Sequence, residues 1–220
     1  MRIDFSTKAG TLSSLLDVLV SARIAPMAVV SVSDWSNAKK NITEKVVQEL
    51  GVGPYIVRSS SIVEDREQKS NAGAFLSMLE VNPDGLNEAI ESVIASYVSP
   101  NAKDEVLIQP MVRNVIRSGV AFSHDPNTSS PYRIINWTEG GDTTAVTQGR
   151  DGRIWQIAAG APIPTDTIFT PILKLIEELL DIFGGKAIDC EFAISRENDN
   201  EFVWLLQARP LVLPFENECC

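Results

Sequence analysis

Histidine is almost absent: His124 is the only one in 220 residues. One imidazole excludes a His-rich metal centre and any pair of acid/base histidines. A Ser-His-Asp triad would have to recruit this residue. Its setting, AFSHDPNTSSP, reads as a strand end entering a turn of Asp, Pro, Asn and Ser, so His124 is expected to bond within that turn. Cysteine is scarce as well. Of the three, Cys190 lies inside an apolar run, while Cys219 and Cys220 are adjacent at the end. That spacing suits neither a disulfide framework nor a zinc site, and the expectation is a reducing, cytoplasmic setting with Cys190 as a small core residue. No run approaches the roughly 18 apolar residues that span a bilayer, and the start, MRIDFSTKAGTL, lacks the apolar core of a signal peptide. Positive charge is in deficit: 19 Lys and Arg against 29 Asp and Glu give a net charge of −10. Such a surface repels nucleic acid and anionic lipid, so neither is an expected partner. Any polyanionic ligand must meet a local cluster of Lys or Arg.

What is present is ordinary for a globular chain. Hydrophobic residues make up 44% and charged residues 22%, which argues against disorder or a coiled coil. The length allows one large domain or two tightly apposed lobes with a self-sufficient core. Apolar residues at Leu12, Leu15, Leu16, Leu19 and Val20 predict a helix over 11–22, with Thr11 as its cap. MAVVSV (27–32) reads as a buried strand, 33–37 as a turn, and 43–50 as a short helix capped by Thr43 and stopped by Gly51 and Gly53. Strands are expected over 55–58, 74–81, 105–112, 119–123 and 132–137, with a helix over 84–99. Segments 143–148 and 153–158 read as a hairpin around QGRDG. TPILKLIEELLDIF (170–183) is the clearest helix, with Thr170 as cap, Pro171 at N1 and Gly184 beyond its end. Strands 187–195 and 201–206 close the chain around RENDN. Helices and strands are mixed, with several antiparallel pairs, so the fold class is α+β.

Three polar segments carry chemistry. VRSSSIVEDREQKSNAG (57–73) sets Arg58 at the end of an apolar strand, ahead of hydroxyls, acids and a glycine. An arginine there suits phosphate oxygens through its bidentate fork; the same composition also describes a solvated surface loop. In DCEFAI and WLLQARPL, Asp189, Glu191, Gln207 and Arg209 stand at a spacing of two. Each pair therefore shares one strand face. If the strands form a hairpin, carboxylate and amide oxygens converge, and Mg²⁺ with a triphosphate fits such a hard-oxygen site. A merely solvated polar face remains the alternative. Lys8, in FSTKAGTL just ahead of a helix start, suits a phosphate and equally suits plain exposure.

Taken in order, VRSSS–ED–S–AG, IQPMV, SGVAFSHDP, DCEF and LLQARP resemble the ATP-binding domain of the phosphoenolpyruvate synthase and pyruvate phosphate dikinase family, which the rifampin phosphotransferases share. The resemblance runs from Lys8 to Pro210. It implies a two-lobed ATP-grasp-like fold with a nucleotide cleft between lobes, expected over 1–108 and 109–220, and ATP and Mg²⁺ as cofactors. It implies that Lys8, Arg58 and Arg209 meet the phosphates as catalytic residues. Gln109, Met111 and Val112 would border the adenine, with Met111 packed on its face. Glu191 and Gln207 would hold the metal. The loop from Glu64 to Gly73, including Ser70 and Gly73, would close over the phosphates.

The departures are specific. NWTEGGDTTAVTQG (136–149) replaces the family's usual glycine-rich stretch, and the regions from Lys8 to Arg58 and before Asp189 are short, which suggests a compact subfamily. The Gly- and Thr-rich carrier-histidine motif of the family is missing, and the chain stops ten residues after Pro210. The expectation is the nucleotide half of an ATP-dependent phosphotransferase, a kinase or dikinase. It would pass a phosphoryl group to a histidine carrier in cis or in trans, and on to a small acceptor such as pyruvate. Alternatives are a kinase for an amide or sugar in surface polysaccharide synthesis, or a degenerate nucleotide-binding module that has lost turnover. Retention of Lys8, Arg58, Glu191, Gln207 and Arg209 together speaks against the last.

Overall fold

The apolar runs and turn signals resolve into nine strands and four α-helices among the described residues. The structure is a computed structural model that describes residues 2–61, 76–97, 99–140, 152–165 and 167–214. The chain divides into two units. The first takes Ser6–Gly10 and Ala25–Met111; the second takes Met1–Phe5, Thr11–Ile24 and Val112–Cys220. The division is not a single cut along the chain, because two N-terminal segments go with the second unit.

The first unit carries an antiparallel sheet in the order β1-β4-β2-β3, from β1 (Ala28–Ser31), β2 (Tyr55–Ser60), β3 (Ser77–Val81) and β4 (Glu105–Pro110). Helices α2 (Val32–Leu50) and α3 (Leu86–Ala95) cover one face. Trp35 and Val46 of α2 and Leu86, Ala89, Ile90 and Val93 of α3 form a core with Val30, Tyr55, Val57, Val106 and Ile108. These strand residues alternate, as period-two burial requires. The turn expected over 33–37 is instead the first turn of α2. Ser31 Oγ accepts the Asp34 N–H at 3.0 Å, and Asp34 faces the helix dipole favourably. Ala38, with φ −150° and ψ 39°, marks the kink where two helical stretches meet. Thr43 therefore lies inside the helix, not at a cap. Gly51 does end it, in the left-handed region at φ 84°.

Helix α1 (Lys8–Leu15) begins earlier and stops sooner than its apolar pattern implies. Thr7 Oγ1 caps it by accepting the Gly10 N–H at 3.0 Å. Beyond Leu15, the Glu178 carboxylate accepts the N–H groups of Val20 and Ser21 at 2.7 Å each. Arg23 then runs beside Trp204 as an isolated bridge. Val20, which helical spacing would bury, is 88% exposed. These non-local bonds in the second unit override the periodicity.

The second unit carries a five-stranded antiparallel sheet in the order β7-β6-β5-β8-β9, from β5 (Val115–Phe122), β6 (Tyr132–Glu139), β7 (Arg153–Ala158), β8 (Ile188–Glu197) and β9 (Asn200–Pro210). Strand β7 pairs with β6; its expected partner, 143–148, lies outside the described residues. Helix α4 (Thr170–Ile182) packs on the face that carries Arg133, Ile135 and Trp137. Arg133 Nε meets Glu177 at 2.7 Å, and Phe169 stacks on Trp155 and stands edge-on to Trp137. Phe169 rather than Thr170 occupies the cap, because the Thr170 hydroxyl donates to the Pro164 carbonyl at 2.5 Å. No helix among the described residues is long and apolar enough to cross a membrane.

Candidate functional site

In the first unit the register pairs Arg58 with Leu107 and Ile56 with Gln109. These residues alternate with Val57 and Ile108 of the helix-packed core. Arg58 and Gln109 therefore share the face turned away from α2 and α3. Both are buried, Arg58 at 8% exposure. Gln109 Nε2 donates to the Ala25 carbonyl at 3.1 Å, and the Met111 N–H donates to the Pro54 carbonyl at 3.0 Å. Met111 Sδ accepts the N–H of Glu80, a residue with a left-handed φ of 54° where the β2–β3 register shifts. Lys8, 6% exposed, donates from Nζ to the Ser59 carbonyl at 3.1 Å. The start of α1 is thus tied to the VRSS strand.

In the second unit β8 and β9 do form a hairpin around RENDN. The register sets Asp189 opposite Arg209 and Glu191 opposite Gln207. Through β5, Asp189 lies beside Phe122 and Glu191 beside Val120, while Ala121 and Cys190 alternate onto the other face, the one that α4 covers. All four polar residues therefore stand on the face away from the helix. Arg209 Nε donates to both oxygens of Asp189, at 2.8 and 2.9 Å. Burial pushes the Asp189 carboxyl above its usual range, a shift that the Arg209 guanidinium opposes and the neighbouring Glu191 reinforces. The Cys190 thiol is also pushed up, first by burial and then by Asp189 and Glu191, so it is an inert core residue.

The donors in this pair of strands are all oxygen, an ionisable carboxylate at Glu191 and an amide at Gln207, with the Asp189 carboxylate two pairs further along on the same face. That donor set fits Mg²⁺, which takes one or two protein oxygens and fills its remaining positions with water and phosphate. Among the described residues no cluster of three or more His, Cys, Asp or Glu side chains forms a fuller metal cage. Val112 also falls in the second unit. Ser70, Gly73 and the loop expected to close over phosphates lie outside the described residues, as does most of 136–149. His124 does bond locally, Nδ1 to Ser123 Oγ at 3.0 Å, and Ser123 Oγ also accepts the Ile188 N–H at 2.8 Å.

Sequence reasoning missed Thr7, Ser60, Tyr97 and Glu105. The Ala9 N–H donates to Ser60 Oγ at 2.9 Å, and the Thr7 hydroxyl donates to Glu105 at 2.9 Å. Tyr97 OH accepts the Ser60 N–H at 3.1 Å and donates to the Glu105 carbonyl. Ser60 lay in a recognised motif. Nothing local marks Tyr97, whose partners are 37 and 8 residues away.

Comparison with known proteins bears on the family resemblance and the fold. Residues 20–104 match the family model of the pyruvate phosphate dikinase AMP/ATP-binding domain. No curated protein sequence matches. Among solved structures, the chain is similar to D-alanine-D-alanine ligase from Helicobacter pylori, at 15% identity and TM-score 0.52, over 94% of this chain and 54% of that one. It is also similar to PH1788 from Pyrococcus horikoshii, at 15% identity and TM-score 0.53, over 94% and 89%. A dinucleotide-forming acetyl-coenzyme A synthetase from Ca. Korarchaeum cryptofilum matches at 9% identity and TM-score 0.55, over 94% and 93%. The chain spans about half the length of the Helicobacter ligase. The resemblance read from the motifs thus holds over residues 20–104, and the chain carries the ATP-grasp fold.

Proposed function

We propose that this chain binds ATP with Mg²⁺ and delivers a phosphoryl group from it to a histidine carrier on another segment or chain, from which a small acceptor such as pyruvate receives it. The family match and fold support an ATP-using phosphotransferase or ligase; the carrier and the acceptor are the proposal's own. The observation that carries it is the β8–β9 register, which aligns Glu191 with Gln207 beside the Asp189–Arg209 pair on a helix-free face.

The reading assigns Lys8 of α1 and Arg58 of β2 to phosphate contacts in the first unit, and Arg209, Glu191 and Gln207 of β8 and β9 to phosphate and metal contacts in the second. In a chain of net charge −10, a triphosphate needs concentrated local cations. Lys8 supplies a point charge and Arg58 a planar fork. Both are buried, and Lys8 is tied to the Ser59 carbonyl, so little reorganisation accompanies charge development on the transferred group. Asp189 holds the Arg209 guanidinium through Nε, which fixes the plane of its fork. Glu191 and Gln207 would hold Mg²⁺, which when bound neutralises phosphate charge and orients the polyphosphate. Catalysis on this account is positioning and charge neutralisation, without a protein nucleophile in this chain.

The test is phosphoryl labelling. ATP labelled at the β or γ position, incubated with this chain alone, gives no acid-labile phosphoprotein. Addition of a carrier domain of the dikinase type gives labelled phosphohistidine on that domain, and His124→Ala leaves the transfer intact. Self-labelling of the chain that His124→Ala abolishes would make His124 the phosphoryl acceptor and overturn the reading.

A further inference from the structure

Lys8 is flanked by two bonds that hold the start of α1. On one side the Thr7 hydroxyl donates to the Glu105 carboxylate at 2.9 Å; on the other the Ala9 N–H donates to Ser60 Oγ at 2.9 Å. Ser60 and Glu105 are directly paired across β2 and β4. Their main chains are joined by one further group, the Tyr97 hydroxyl, which accepts the Ser60 N–H at 3.1 Å and donates to the Glu105 carbonyl. Tyr97 lies just past α3 and its ring belongs to the core of the first unit. Ser60 is fully buried and Tyr97 nearly so, so water does not replace these bonds at no cost.

We propose that Tyr97 is a positioning residue for Lys8. Its hydroxyl fixes the two strand residues whose side chains grip the helix start on either side of the lysine, and so sets where the ammonium stands. The inference rests on the phosphate role proposed for Lys8. It extends that role to a residue that touches neither nucleotide nor metal.

Calorimetric titration of the 220-residue chain with Mg·ATP tests it. Tyr97→Phe keeps the ring and removes the hydroxyl, and affinity falls about fivefold, the effect of one ordinary hydrogen bond. In a Lys8→Ala background the same change produces no further loss. The Ala9 amide exchanges with solvent faster in Tyr97→Phe, as read by NMR. Ser60→Ala reproduces the affinity loss, and combining it with Tyr97→Phe gives less than the product of the two effects. If Tyr97→Phe fails to fold, the Ser60→Ala arm, with and without Lys8→Ala, decides the same question. Wild-type affinity in Tyr97→Phe alongside weakened binding in Lys8→Ala overturns the inference and leaves the nucleotide reading standing. An equal loss in both backgrounds shows that Tyr97 acts elsewhere and also overturns it. Absence of Mg·ATP binding by the unaltered chain removes the nucleotide reading, and the inference with it.

Discussion

Glu191 on β8 stands directly opposite Gln207 on β9, two pairs along the ladder and on the same face as the Asp189–Arg209 ion pair. An anionic oxygen and a neutral amide oxygen are thereby presented side by side on a pleated surface, next to a guanidinium already oriented by its own carboxylate. Replacing Glu191 by Ala, or Gln207 by Leu, removes one oxygen donor without disturbing the hydrophobic face beneath. The expected result is a loss of about tenfold or more in Mg²⁺-dependent nucleotide affinity. The melting temperature should change little. A titration of each variant with ATP at fixed Mg²⁺, beside a thermal melt, separates the two effects.

Arg58 is expected to be less tolerant of conservative change than its charge alone suggests. Arg58→Ala should weaken nucleotide binding by about one to two orders of magnitude, the range for a desolvated charge-assisted contact. Arg58→Lys should restore little of it, because the planar fork is lost. Equal binding by all three proteins would remove Arg58 from the phosphate contacts.

Gly119, in the SGVAF motif, is explained by packing. It sits in the central strand β5, where an added Cβ would lie 2.2 Å from the Asn136 carbonyl oxygen and 2.9 Å from the Phe192 ring. The carbonyl belongs to the paired strand β6 and cannot retreat without opening the ladder. Gly119→Ala should destabilise the fold by about 1–3 kcal/mol or more, the range for overpacking a filled core. A denaturation midpoint equal to wild type would contradict this.

Much of this architecture is legible in the sequence because it depends on short-range periodicity. The alternation in DCEFAI and LLQARP is sufficient to put Asp189 with Glu191, and Gln207 with Arg209, on one face of each strand; which residues face each other depends on a register shift between Glu191 and Phe192 that no local pattern marks. The amphipathic run that forms α4 is equally clear. What the sequence hides is set by distant partners. Leu19 and Val20 continue a helical pattern, yet Glu178, 158 residues from Val20, captures the backbone there. Ser33 to Asn37 has turn composition, but Ser31 turns the same residues into a capped helix start. Tyr97 has no motif at all, and its role emerges only when β2 and β4 are paired.

Asp189 gives the pH dependence a definite sign. Its carboxyl is raised above the ordinary value of 3.8, chiefly by burial, so the folded state holds the proton more tightly than the unfolded one. Stability from this group is therefore greatest at low pH. It falls as pH rises from about 3.8 through the raised folded value, and is level above it. Glu201, lowered first by its hydrogen bond to Arg196, has the opposite sign. Its contribution is present above its unfolded value and is lost as pH falls through the folded one. Comparing Asp189→Asn with wild type isolates the first effect: the variant should lack the decline in stability over that window. A difference between the two that is constant with pH would contradict it.

The most direct test of the account is calorimetric titration of the chain with ATP in the presence of Mg²⁺ and again with a chelator. With a net charge of −10, the chain is expected to hold the triphosphate only where local cations and a bound metal offset the phosphate charge. Binding should be measurable with Mg²⁺ and fall at least about tenfold when the metal is removed. Equal affinity in both conditions, or no binding in either, would contradict it.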